Sequence, residues 1–80
     1  MYLTIEDLEK ETGYSRNTIY NLSVGIGIKP KKGLIVGNAG KGAYSHEDLK
    51  ALLLYKELVT QGIAKEEAYV RAAEILSHRS

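Results

Sequence analysis

Three observations predict a mainly α fold with a small β-hairpin. Two Ser/Thr-x-x-Asp capping signals open apolar-periodic segments, a glycine-rich break occupies the middle of the chain, and a leucine-rich stretch of helical length follows it. The first signal, Thr4-Ile5-Glu6-Asp7, gives a hydroxyl to a free backbone N–H and puts acids at the positive end of the helix dipole. Ile5, Leu8 and Thr12 then recur at helical spacing, and Gly13 can take positive φ, so a first helix is expected over Ile5–Thr12.

Ser15 is a good N-cap for a second helix over residues 16–23. At 100° per residue, Arg16, Asn17, Tyr20 and Asn21 share one arc, while Ile19 and Leu22 share the opposite one. Gly25 and Gly27 argue against continuation past Ser23. Lys29-Pro30-Lys31-Lys32-Gly33 reads as a basic turn, Leu34-Ile35-Val36 as a short strand, residues 37–42 as a flexible tip, and Ala43-Tyr44 as the return strand. Such a hairpin is marginal alone and must lean on the helices. Ser45-His46-Glu47-Asp48 is the second capping signal. Residues 47–60 are apolar over more than one stripe, which predicts a helix packed from two sides. Gly62 ends it, and residues 65–76 form a last amphipathic helix with Ala68, Ala72, Ile75 and either Tyr69 or Val70 turned inward. The order is helix, tight turn, helix, hairpin, helix, helix. With Thr12-Gly13-Tyr14-Ser15 as the turn, this is a winged helix-turn-helix arrangement in one domain spanning the 80 residues.

Charge is unevenly placed. Between Gly13 and Tyr44 there are five cations, Arg16, Lys29, Lys31, Lys32 and Lys41, and no acid, although the whole chain carries only +1. A basic block of this kind predicts a cationic face that attracts polyanions. Cysteine is absent, which excludes disulfides, thiolate metal sites and a cysteine nucleophile. His46 and His78 are far apart, with no third ligand at metal spacing. No apolar run approaches a membrane span, and Met1-Tyr2-Leu3-Thr4 is unlike a signal peptide, so a cytoplasmic, nucleoid-associated protein without cofactor is expected.

The same residues resemble the DNA-binding domain of the MerR family of bacterial transcription regulators. Leu3-Thr4-Ile5-Glu6-Asp7-Leu8 is similar to that family's opening, and Thr12-Gly13-Tyr14-Ser15-Arg16-Asn17-Thr18-Ile19 to the start of its recognition helix. Gly27-Ile28-Lys29-Pro30 resembles the lead into its wing, Ala43-Tyr44-Ser45-His46-Glu47-Asp48-Leu49 the junction of wing and third helix, and Gly62-Ile63-Ala64-Lys65-Glu66-Glu67-Ala68 the approach to the fourth. Five short motifs in register are more specific than any one. There are departures. Tyr20-Asn21-Leu22 stands where the family has Arg-Tyr-Tyr, and Gly42 stands where the wing has an arginine. The chain stops where the family adds a dimerising helix and an effector domain, so effector sensing is not implied.

The resemblance implies sequence-specific binding of double-stranded DNA in transcription regulation, with the second helix in the major groove and residues 29–44 on the backbone. Arg16 would fork onto a guanine edge or bind phosphate, and Asn17 or Asn21 would pair with adenine. Tyr20 would offer a hydroxyl or a stacking ring. Ser15 and the helix start would hold a phosphate, and Lys29, Lys31, Lys32 and Lys41 would follow the backbone. Tight binding would need a second copy, as a dimer or a tandem array, or a missing C-terminal region. An enzyme is disfavoured: no Ser/His/Asp set has a scaffold, and around Gly40-Lys41-Gly42 the earlier glycine of a phosphate loop is Ile35. No small-molecule site is evident. The alternatives are a protein–protein interaction module and an excisionase-like architectural DNA-binding protein.

Overall fold

The computed structural model describes residues 2–32 and 42–77. The strand expected at 34–36, all of the tip expected at 37–42 except Gly42, which belongs to a strand, and with them Lys41 and His78, lie outside the described residues. Of Lys32 the backbone alone is described. Among the described residues there are four helices and one strand pair, a small, mainly helical domain.

α1 covers Ile5–Thr12, as the capping signal predicts. The Asp7 N–H donates to Thr4 Oγ1 at 3.1 Å and the Thr4 N–H donates to the Asp7 carboxylate at 2.9 Å, so two otherwise orphaned donors are satisfied. Ile5, Leu8 and Thr12 are buried. The Thr12 hydroxyl donates to the Leu8 carbonyl and accepts from the Tyr14 N–H, which starts the turn. Gly13 makes the turn possible: its φ of 78° lies in the left-handed region, and its N–H donates to the Glu9 carbonyl. Lys56, from α3, clamps the same corner. Its ammonium donates to the Thr12 carbonyl and lies 5.4 Å from the centroid of the Tyr14 ring.

α2 runs over Arg16–Ile26, three residues further than Ser23, the expected end. A helical glycine costs about 1 kcal/mol against alanine, and here tertiary packing outweighs it. Ile26, in the added turn, is buried, and Tyr69 packs on the bare backbone of Gly25. The helix ends one position after the buried isoleucine, at Gly27, with φ 95°. Ile19, Leu22, Ser23 and Ile26 form the inward face, and the Ser23 hydroxyl is satisfied by the Ile19 carbonyl at 2.7 Å.

Two residues of the basic segment expected as a turn, Lys31 and Lys32, form a strand instead. β1, Lys31–Lys32, pairs antiparallel with β2, Gly42–Ala43, in the register Lys31↔Ala43 and Lys32↔Gly42. Tyr44, expected to lie within the return strand, instead forms an antiparallel bridge with Leu3, through N–H···O distances of 2.7 and 2.8 Å in the two directions. Leu3 thus pairs with the residue that follows β2, a tertiary pairing with no local signal in the sequence around it. Ala43 and Tyr44 are buried and anchor the strand pair to the helices.

α3, His46–Thr60, is the central element and packs against α1, α2 and α4. Its buried residues are Asp48, Ala51, Leu52, Tyr55 and Leu58; Leu49, Leu54 and Val59 are half-buried, and Leu53 faces outward. The buried Asp48 carboxylate accepts the Ser45 N–H at 2.9 Å, so burial costs it no hydrogen bond. α4, Lys65–Ser77, lies along α3 with Ala68 and Ala72 fully buried at the contact. Tyr69 is the inward member of the pair left open by the sequence: its ring stacks on Tyr55, centroids 5.2 Å apart, whereas Val70 is exposed. Ile75 is half-buried.

Candidate nucleic-acid interface

The apolar side of α2 fixes what its other side presents. With Ile19, Leu22, Ser23 and Ile26 inward, Asn17, Tyr20, Asn21 and Val24 project to solvent and Arg16 is half-exposed. The polar arc expected from helical periodicity is therefore present. Val24 was not part of the expected arc, because the helix was expected to end before it. It continues the i, i+4 row of Arg16 and Tyr20 and is 86% exposed. Ser15 is exposed, and its hydroxyl caps α2 by accepting the Thr18 N–H at 3.3 Å.

Arg16 is not the unopposed cation that the linear sequence suggests. Its Nη2 donates to Glu6 Oε2 at 2.8 Å and to Glu9 Oε1 at 3.2 Å. The acid-free block in sequence is thus not acid-free in space: folding α1 against α2 brings two carboxylates onto its first cation. The guanidinium is held above its ordinary pKa, chiefly by the hydrogen bond to Glu9, with the charges of Glu9 and Glu6 reinforcing it. Glu6 makes the shorter contact, while Glu9 is the less exposed of the two, 33% against 52%, and so less screened by solvent.

Lys29 and Lys31 are exposed at the foot of the strand pair. With Tyr2, Ala43, Ser45 and Asp48 they line a recess of about 30 Å³. Here too folding supplies an acid, the Asp48 carboxylate, which is already engaged in capping α3. Burial raises the pKa of the Tyr44 phenol, and the charges of Tyr20 and Asp48 add to it. Gly42 has no room for a side chain, since a Cβ would fall 2.3 Å from Pro30 Cβ.

A groove of about 300 Å³ opens beside α2, although the sequence shows no small-molecule site. Thr18 and Asn21 form one wall, with Tyr14, Tyr55, Lys65 and Tyr69 around them. Asn21 thus borders both the outer arc and this groove, while Asn17 does not line the groove. The groove needs a turn and three helices to meet, so spacing within any one helix does not reveal it.

Comparison with known proteins finds no matching family model, curated protein or solved structure. No helix among the described residues is long and apolar enough to cross a membrane.

Proposed function

We propose that this chain is a winged helix-turn-helix module of MerR type that binds double-stranded DNA in bacterial transcription regulation. α2 enters the major groove, and Lys29, Lys31, Lys32 and Lys41 track the backbone. The supporting observation is the outward face of α2, on which Arg16, Asn17, Tyr20 and Asn21 stand together on a helix fixed from behind by a buried face. Carboxamides match adenine edges and a guanidinium matches guanine. The face is narrow, so tight binding requires a second copy, as a dimer or side by side on DNA. Enrichment of bound duplexes from a random pool tests this: a recurring motif with a fixed half-site spacing supports it, and no enrichment over the input pool refutes it.

A second reading, a protein-interaction module, is favoured by Tyr20 and Val24, two exposed apolar side chains one turn apart at the C-terminal end of the same face. In that reading Val24→Asp abolishes partner binding and duplex DNA is not bound.

A further inference from the structure

The contacts of Arg16 decide what kind of group it can grip. A guanidinium has two edges that donate in parallel, Nη1–Nη2 and Nε–Nη2, and Nη2 belongs to both. Glu6 and Glu9 each accept a hydrogen bond from Nη2, and two acceptors match its two hydrogens. While both carboxylates hold on, neither edge is complete. Releasing one of them restores one edge and leaves the other carboxylate to orient the guanidinium. The Glu9 contact, at 3.2 Å against 2.8 Å, is the longer.

The incoming acceptor also meets those carboxylates. A phosphate brought to Nη2 would place its charge beside two acids, which is repulsive. The O6 and N7 atoms of guanine are neutral and carry no such penalty. Resting on the DNA-binding reading above, we infer that Glu6 and Glu9 form a latch that makes Arg16 a reader of guanine and rejects phosphate there. Of the two roles open to Arg16 from sequence, base readout and backbone contact, this selects the first. Specificity then comes partly from a repulsive element set against the wrong target. Glu6 and Glu9 are positioning residues in this scheme and touch no base.

Three measurements test it on the 80-residue chain. The first replaces each guanine of the enriched duplex in turn by 7-deazaguanine, which lacks the N7 acceptor. One position is expected to lose about 5- to 100-fold in affinity, and Arg16→Ala, which removes every donor, should be insensitive to that replacement. The second compares Glu6→Gln/Glu9→Gln with the parent on the enriched duplex and on a random one. The double variant is expected to gain several-fold on the random duplex and less on the enriched one. The third follows salt dependence: the variant's slope on the random duplex should steepen by about 0.9, one added phosphate contact. Insensitivity to every 7-deazaguanine, or an equal gain on both duplexes with an unchanged slope, would overturn the latch. Should the double variant melt well below the parent, Glu9→Gln alone serves for the same comparison. A parent that holds no duplex overturns the DNA-binding reading itself, and that result is known before any variant is compared.

Discussion

Gly25 of α2 lies directly against the ring of Tyr69 from α4: a Cβ added at Gly25 would sit 2.8 Å from Tyr69 Cζ and 2.9 Å from Cε1. This contact lets α2 run on past its glycine, and it fixes the ring that stacks on Tyr55. Gly25→Ala sets two effects against each other. Alanine gains about 1 kcal/mol of helix propensity, while overpacking costs about 1–3 kcal/mol. The ring is held from behind by Tyr55, so overpacking should win, with a net loss of about 1 kcal/mol in urea unfolding. A gain in stability would show that Tyr69 moves freely.

Gly42 is closed in a similar way by Pro30. Placing an arginine there by Gly42→Arg should therefore separate β1 from β2 rather than add a phosphate contact. We expect a lower melting temperature and weaker duplex binding despite the added charge. Tighter binding with unchanged melting would mean that Pro30 yields.

Alkaline pH offers a test of the core. Burial raises the pKa of Tyr14, Tyr44 and Tyr55 above the ordinary 10.0, and for Tyr55 the nearby Tyr69 adds to it. The folded state therefore keeps these protons when the unfolded chain has released them. Their contribution is intact below pH 10 and is lost as pH rises above it through the folded-state values. The urea midpoint should be level at moderately alkaline pH and fall beyond that point, and Tyr44→Phe should lessen the fall. A level midpoint throughout would contradict the burial of these phenols.

Lys29 and Lys31 give the backbone prediction. Lys29→Ala with Lys31→Ala should weaken enriched and random duplexes by similar factors and reduce the magnitude of the salt slope by about 1.8. Loss confined to the enriched duplex would make these lysines base readers instead.

Local chemistry made much of this fold legible. Thr4 and Ser45 with their partner aspartates marked the starts of α1 and α3 to within a residue, and Gly13 and Gly62 marked their ends, because caps act over three or four residues. Long-range packing was not legible. The run of α2 through Gly25 depends on Tyr69, forty-four positions away, and the bridge between Leu3 and Tyr44 joins residues forty-one positions apart. The outward arc of α2 was readable because periodicity alone sets it. The electrostatics of that arc were not, since Glu6 and Glu9 reach Arg16 only when α1 folds back on α2.

The central claim is that the outer face of α2 and the lysines after it meet the phosphates and bases of a duplex. Titrating the protein with the enriched duplex over a series of salt concentrations tests it most directly. Four lysine contacts predict that log K falls linearly with log salt at a slope of about −4. A slope near zero, or no binding to any duplex, would contradict it.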